Sequence, residues 1–461
     1  MKSNTLLKIL QYKKIWIQQH KIQKPLLSFY HDLKKSKKNF KKSIIKNNPA
    51  FIFECKKASP SQGLLRSKFS IPKIINIYNK YANAISVITE NKFFKGSFED
   101  LKNAAQYTNK PILCKDFFID PYQIYYARYH QADAILLMMS ILSDSQYVMM
   151  TDLAKKMNMH ILTEVHNHVE LNRALLLNAE IIGINNRNLK DLSINLKTTI
   201  QIAPLIPLDR IIISESGINN YKKIRMLSSY VNGFLIGTHL MKSSNLDTSV
   251  RSIVYGYNKV CGLTRMKDAF IAEKSGCIYG GFIFYNNSPR YIKRHFCKKI
   301  INQVKLKYVG VFVNARIDDI LLRVIQLSLS VVQLHGHENQ EYIQKLRDVL
   351  PHNVKIWKAL SVQDSFPTQR YCYVDRYLID NKNGGTGSTF NWNLIKKHDV
   401  SKIILAGGLT LQNIFKASTL GFYGLDFNSG IEKMPGIKDS KKIIQTFNLL
   451  KNFPLRSLLT N

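Results

Sequence analysis

The chain has 461 residues, too many for one ordinary core, so two or three domains are expected. Hydrophobic residues make up 45%, with 23 Tyr and 23 Phe, which suffices for packed interiors and excludes global disorder. The formal charge of +36 admits nucleic acid as a partner, but the lysines are spread along the chain and no RNP, zinc-finger or helix-turn-helix pattern accompanies them, so solubility and non-specific attraction are the expected consequence.

The opening stretch, MKSNTLLKILQYKKIWIQQHK, mixes Lys with apolar residues at helical spacing and reads as an amphipathic helix. It lacks a signal-peptide core and cleavage site, so a cytoplasmic protein is expected. LKKSKKNFKKSIIKNN (33–48) follows and is the strongest local candidate for a phosphate-backbone contact. Short apolar runs bounded by turn residues then recur: FIFECK (51–56), AISVIT (84–89), PILCKDF (111–117), AILLM (134–138), HILTEV (160–165), IIGINN (181–186), RIIISES (210–216) and GFLIG (233–237). Helix-like stretches separate them, such as 145–157, where Tyr147, Met150, Leu153 and Ala154 share a face. The longest apolar run, AILLMMSIL (134–142), is too short to span a bilayer, and no membrane partner is expected.

After a very short linker near 254–258 the pattern restarts with KVCGLT (259–264), YGGFIF (279–284), KYVGVFV (307–313) and VVQLH (331–335). KIWKALS (355–361), RYLID (376–380), KIILAGG (402–408) and GLDFNSG (424–430) complete a second set of eight. Composition shifts at the join, since six of the 22 glycines precede Gly256 and the other sixteen run from Gly256 onward. Eight strands alternating with helices in roughly 200 to 250 residues predict a (β/α)₈ TIM barrel. The chain is therefore expected to be α/β with two tandem barrels, 1–255 (with a helical extension, 1–48) and 256–461. Neither half carries G-x-G-x-x-G after its first strand, which disfavours a doubly wound sheet.

Catalytic groups of a barrel lie at the C-terminal strand ends. In the first half those ends hold Glu54 and Lys56, Lys115 and Asp116, Glu164, then Asn185, Asn186 and Arg187, then Glu215. Most strand starts are apolar, with His160 and Arg210 as exceptions, and this asymmetry argues for a site rather than a solvated rim. Glu54 and Lys56 share a strand face, while Lys57 points away and reads as structural. Ser216-Gly217 and Gly237-Thr238 end strands seven and eight, where small residues let backbone N–H groups approach an anion. Gly407-Gly408 and Asp426, Asn428, Ser429 and Gly430 repeat that arrangement in the second half, so two phosphorylated substrates are expected. There, Arg290 follows strand two, His335 ends strand four, and Asp380 ends strand six before GGTG (384–387). Cys261, within strand one, reads from the sequence alone as a core thiol. The six cysteines show no metal-ligand spacing and are expected to be reduced, with no metal site.

These residues resemble known families. ECKKASPS, ILCKDF, LTEV, GINNRNL, SESGI and GFLIG resemble indole-3-glycerol-phosphate synthase. KVCGLTR, SPR, VQLHG, the aspartate before GGTG, LAGGL and GLDFNSGIE with PGIKD resemble phosphoribosylanthranilate isomerase. Their order resembles the fused bifunctional enzymes of bacterial tryptophan biosynthesis. The resemblance implies an Amadori rearrangement in the C-terminal barrel, with Asp380 as general acid and Cys261 as general base. Such a base needs surroundings that favour the thiolate. Arg290 would hold the anthranilate carboxylate, His335 would line the pocket, and Gly407, Gly408, Asp426 and Ser429 would serve the phosphate.

For the N-terminal barrel the resemblance implies indole ring closure, with Lys115 as general acid, Glu164 as general base, and Glu54 and Asn185 in support. Lys56 would meet substrate anions, although either lysine could deliver the decisive proton. Arg187, Ser216, Gly217, Gly237 and Thr238 would bind substrate and phosphate, and the N-terminal extension would partly cover the mouth. No metal or redox cofactor is implied, nucleic acid is not required, and a monomer is expected. A basic nucleic-acid-binding or scaffolding protein, or another phosphosugar isomerase or lyase, are the alternatives.

Overall fold

The structure, a computed structural model, describes residues 4–188, 191–362, 365–381, 389–395 and 398–453. GGTG (384–387) and Leu189 of the GINNRNL motif lie outside the described residues. The sixteen expected runs form two closed eight-stranded parallel barrels, each with its strands in sequence order.

The first barrel comprises Ala50–Cys55, Ala84–Ile88, Ile112–Lys115, Ala134–Met138, His160–Val165, Ile181–Asn185, Ile211–Glu215 and Gly233–Ile236. It closes where the first strand pairs with the eighth, Ala50 against Gly233 through Phe53 against Ile236. Alternation with period two sends every second residue inward. Ala50, Ile52, Leu113, Leu162, Ile211, Ile213 and Leu235 thus meet in one buried cluster on the barrel axis. The helix expected at 145–157 is present as Asp144–Lys156, and it buries Tyr147, Met150 and Ala154.

The second barrel comprises Lys259–Val260, Tyr279–Ile283, Lys307–Phe312, Val331–Leu334, Lys355–Val362, Arg376–Asn381, Ile403–Leu405 and Gly424–Phe427. Its first strand is shorter than KVCGLT suggests. The Cys261 N–H still reaches Phe427 O at 2.8 Å, but Gly262 adopts φ +64° and turns the chain out of the ladder.

The basic stretch 33–48 is part of the first barrel's base. Phe40 and Ile44, on the short helix Phe40–Ile45, are fully buried in the axial cluster and close its N-terminal end. Lys38 Nζ donates to the carbonyls of Thr108 (3.0 Å) and Lys110 (3.2 Å), and Lys41 pairs with Glu180 at 2.6 Å. Two of its lysines are thus spent on structure.

Helix α1 (Asn4–Gln23) is amphipathic as expected: Leu6, Ile9, Trp16 and Ile17 are buried, each stabilising the packing by about 1.5–3 kcal/mol. Lys13, on the same face, is completely buried and lies 2.7 Å from Asp116 Oδ1. Asp116 also accepts the Thr89 hydroxyl at 2.7 Å, which fixes its carboxylate for the ammonium.

By contact density the chain divides into two units. One holds the residues up to Asn219 with Met226–Val250, the other Asn220–Arg225 with Arg251–Lys451.

Asp116→Ala would leave Lys13 charged and buried without its counterion. We expect a loss of about 3–5 kcal/mol in urea unfolding of the first barrel. The joint change Lys13→Met with Asp116→Leu should cost much less; equal losses would rule out the ion pair as the anchor.

Candidate active sites

In the first barrel the inward positions are apolar until the last layer, where they become chemical groups. Glu54, Lys115, Glu164 and Glu215 each follow an inward apolar residue by two places: Ile52, Leu113, Leu162 and Ile213. With Lys56, Asn185, Arg187, Ser216, Gly217, Gly237 and Thr238, the first three line a cavity of about 410 Å³. Leu6 and Ile9 of α1 complete its wall, so the N-terminal helix does cover part of the mouth. Lys57 is not among the lining residues.

Lys115 Nζ lies 2.7 Å from Glu215 Oε2 and 3.6 Å from Glu54 Oε2, and Lys56 Nζ lies 2.5 Å from Glu54 Oε1. Burial would drive Lys115 neutral, but Glu215, Glu54 and Glu164 outweigh it and hold the ammonium well above the usual lysine range. Burial also pushes Glu54 up, yet Lys56 and Lys115 bring it below the ordinary carboxyl value. Glu164 follows the same rule, with His166, Lys115 and Asn185 overcoming burial. Glu215 breaks it: burial, opposed by Lys115 but reinforced by Glu164 and Glu54, pushes its carboxyl up to about 7.

Two glycines make room for this cluster. A Cβ on Gly183 would collide with Glu215 Oε1, and one on Gly237 with Glu54 Oε1. Ser216 and Gly217 take φ of +65° and +82° in succession, bending the backbone over the cavity. Arg187 is fixed at the loop by Nη1 donating to Leu192 O (2.7 Å), while its backbone N–H donates to Asn185 Oδ1 (3.0 Å).

The second barrel gathers Cys261, Asp380 and His335 at its strand ends. Burial pushes the Asp380 carboxyl up to about 6, against the Asn381 N–H and with Asp426 adding to the rise. His335 Nε2 stands 4.0 Å from Asp380 Oδ2. Burial, with Lys259 and Lys358 adding, takes His335 down to about 4, so the ring is neutral near pH 7. Gly407 and Gly408 have φ of +80° and +60°. A Cβ on Gly430 would strike Leu409 O, so the loops after strands seven and eight pack backbone to backbone.

Three of the expected site residues have partners that the sequence did not show. Asp426, grouped above with the phosphate segments, is buried inside the barrel with Oδ2 2.6 Å from Lys259 Nζ; a carboxylate so placed repels an anion and neutralises a lysine instead. The surroundings of Cys261 do not favour its thiolate: burial pushes the thiol up, and the pull of Lys259 is partly cancelled by Asp426. Arg290 is already engaged by Glu432, Nε to Oε1 at 3.0 Å and Nη2 to Oε2 at 2.9 Å, so an anthranilate carboxylate must share it.

Lys259, Glu432 and Lys438 lie inside the quoted motifs but carried no role there. Lys438 Nζ lies 2.7 Å from both Glu432 Oε1 and Asn428 Oδ1. Lys259 was findable, because it precedes Cys261 by two and shares its face. Glu432 and Lys438 flank a small antiparallel hairpin (Glu432–Met434 with Ile437–Lys438) that no strand count reveals.

Comparison with known proteins agrees with this division. The family model described as indole-3-glycerol phosphate synthase matches residues 6–253, and that described as N-(5'-phosphoribosyl)anthranilate (PRA) isomerase matches residues 258–449. The tryptophan biosynthesis protein TrpCF of Buchnera aphidicola subsp. Acyrthosiphon pisum is 51% identical over 98% of this chain and all of its own length. Its counterpart in Salmonella typhi is 48% identical over 97% of this chain and 99% of its own, and that of Vibrio cholerae 46% over 98% and 97%. The chain belongs to the bifunctional synthase–isomerase family of tryptophan biosynthesis.

Within the synthase barrel the glycine vacancies give a direct test. Gly237→Ala must push Glu54 away from Lys56, at a cost of about 1–3 kcal/mol in stability. Synthase activity should fall while isomerase activity, measured on the same sample, stays unchanged. A variant with full synthase activity would show that the Glu54–Lys56 contact is dispensable.

Proposed function

We propose that the C-terminal barrel converts N-(5-phosphoribosyl)anthranilate to 1-(2-carboxyphenylamino)-1-deoxyribulose 5-phosphate. The N-terminal barrel then closes this product to indole-3-glycerol phosphate with loss of carbon dioxide and water. The observation that carries the reading is the Lys115 ammonium held between Glu215 and Glu54 in one cavity with Glu164. Lys115 protonates the C2′ carbonyl oxygen as the aromatic carbon attacks, and assists its departure as water. The attacking carbon, which bears the carboxylate, loses carbon dioxide to restore the benzene ring, and Glu164 takes the C1′ proton as the C2′ hydroxyl leaves, completing the indole. Contact with two carboxylates, against one for Lys56, supports Lys115 as the donor. Glu54 and Asn185 position these groups, Lys56 meets substrate anions, and Arg187, Ser216, Gly217, Gly237 and Thr238 hold the remaining substrate and phosphate.

In the isomerase barrel Asp380 delivers a proton to the furanose oxygen, the ring opens to a Schiff base, and Cys261 takes the C2′ proton. Gly407, Gly408 and Ser429 receive the phosphate. Lys259, paired with Asp426, stabilises the thiolate as it forms. We assign residues 1–255 to the synthase and 256–461 to the isomerase. The protein works as a cytoplasmic monomer that needs no nucleic acid or membrane.

Lys115→Ala should abolish ring closure and spare isomerisation, and Cys261→Ala the reverse, in a coupled assay without added metal. Both steps surviving both changes would reject the assignment.

The isomerase pH profile follows from the two shifts. Asp380, at about 6, must be protonated and Cys261, above its ordinary value, must be ionised. Below about pH 6 Asp380 is already protonated, so activity climbs with the thiolate, about tenfold per pH unit. Above about 6 the loss of Asp380–H cancels that gain and the profile levels. In Asp380→Asn the much weaker residual activity should climb without levelling. A break persisting at the same pH would assign it to another group.

A further inference from the structure

His166 stands just beyond the fifth strand of the synthase barrel, two residues past Glu164, and no motif or sequence argument singles it out. Its side chain is 10% exposed. Nδ1 lies 3.0 Å from Glu170 Oε2, which also accepts the His166 backbone N–H at 2.9 Å. Nε2 has no aligned hydrogen-bond acceptor, and it lies 3.2 Å from Glu164 Oε1. Both ring nitrogens therefore face carboxylates. A neutral imidazole has one N–H and would set the lone pair of its other nitrogen against a carboxylate oxygen. The doubly protonated ring meets both carboxylates by charge, hydrogen-bonded to Glu170 and ion-paired without an aligned hydrogen bond to Glu164.

We infer that His166 is a positioning residue for ring closure: clamped by Glu170, its imidazolium holds Glu164 ionised and oriented toward the cavity. The inference rests on the reading of Glu164 as the general base. A buried carboxyl left to itself takes up a proton and then cannot accept another. The groups facing Glu164 are Lys115 from the third strand, Asn185 from the sixth, Glu215 from the seventh and His166 from its own. Those facing His166 are Glu164 and Glu170. Lys115 is divided among three carboxylates and lies closest to Glu215, so the cation nearest Glu164 is His166, which it shares with Glu170 alone.

Glu215 offers a contrast in contacts. It is as buried as Glu164 and is closer to Lys115, but it has no histidine. Its carboxyl is pushed up to about 7, whereas that of Glu164 stays below the ordinary value. Two carboxylates at one depth thus differ in the cation that touches them, Lys115 at Glu215 and His166 at Glu164. The pair in turn brings His166 up to about 10 against its burial, so the clamp persists across the neutral range.

The test is the ratio of variant to wild-type kcat for ring closure as a function of pH. In His166→Gln and His166→Ser, Glu164 loses its cation and its pKa rises. The ratio should therefore fall about tenfold or more between about pH 8 and pH 5.5. The isomerase ratio on the same samples should stay at one, and His166→Lys should restore a flat synthase ratio. A neutral variant that loses the same factor at every pH, or none, overturns the inference. Should neither neutral variant bind indole-3-glycerol phosphate, the wild-type chain decides. With histidine labelled in ¹⁵N, one of its 12 imidazoles must stay doubly protonated above about pH 8; none doing so rejects the clamp. Glu164→Gln separates the two claims. If it keeps ring closure, the base assignment fails; if it abolishes ring closure while the His166 ratio is flat, the positioning role alone fails.

Discussion

Three carboxylates, Glu54, Glu164 and Glu215, are buried around the Lys115 ammonium at the top of the synthase barrel, and the site depends on keeping that charge balanced out of water. No pair in it is satisfied alone. Lys115 is shared, Lys56 supplements it at Glu54, His166 supplements it at Glu164, and Glu215 relieves the excess by holding a proton more readily. Removing any member leaves a neighbour with an uncompensated charge in a dry wall, which is far costlier than the loss of one surface ion pair. Catalytic competence and local stability are therefore set by the same contacts.

The isomerase barrel handles the problem one layer deeper. Lys259 and Asp426 neutralise each other beneath Cys261, and Gln333 lies in the same barrel, buried, on the fourth strand. Asp380 and Cys261 are consequently left with little direct compensation, and both are pushed toward their neutral forms. A carboxyl and a thiol pushed toward neutrality are compatible with the proposed reaction, which begins by proton donation. The synthase cluster instead surrounds an ammonium, and its contacts preserve charge rather than suppress it.

Much of this was legible because the barrel imposes simple arithmetic. Parallel strands alternate in and out with period two, and that alone put Glu54 and Lys56 on one face and Lys57 on the other. The strand ends collected Lys115, Glu164 and Asn185 without knowledge of any contact. What stayed hidden was pairing across the barrel. Asp426 pairs with Lys259, about 170 residues away in sequence, a contact no strand count reveals. Arg290 looked free until Glu432 came back to it from the far end of the chain. His166 left no trace because a single residue past a strand end has no periodicity to betray it. The local arithmetic reads elements well and reads long-range charge partners poorly.

The placement of Lys13 bears on how the protein is made. Its counterion, Asp116, is synthesised roughly a hundred residues after it, and the carboxylate is in position only once the second and third strands have paired. Until then α1 carries an ammonium on its apolar face and has no dry surface to occupy. The helix therefore cannot complete its packing before the third strand has been made. Since Leu6 and Ile9 form part of the cavity wall, the synthase pocket is complete only when α1 has docked at the end of the third strand.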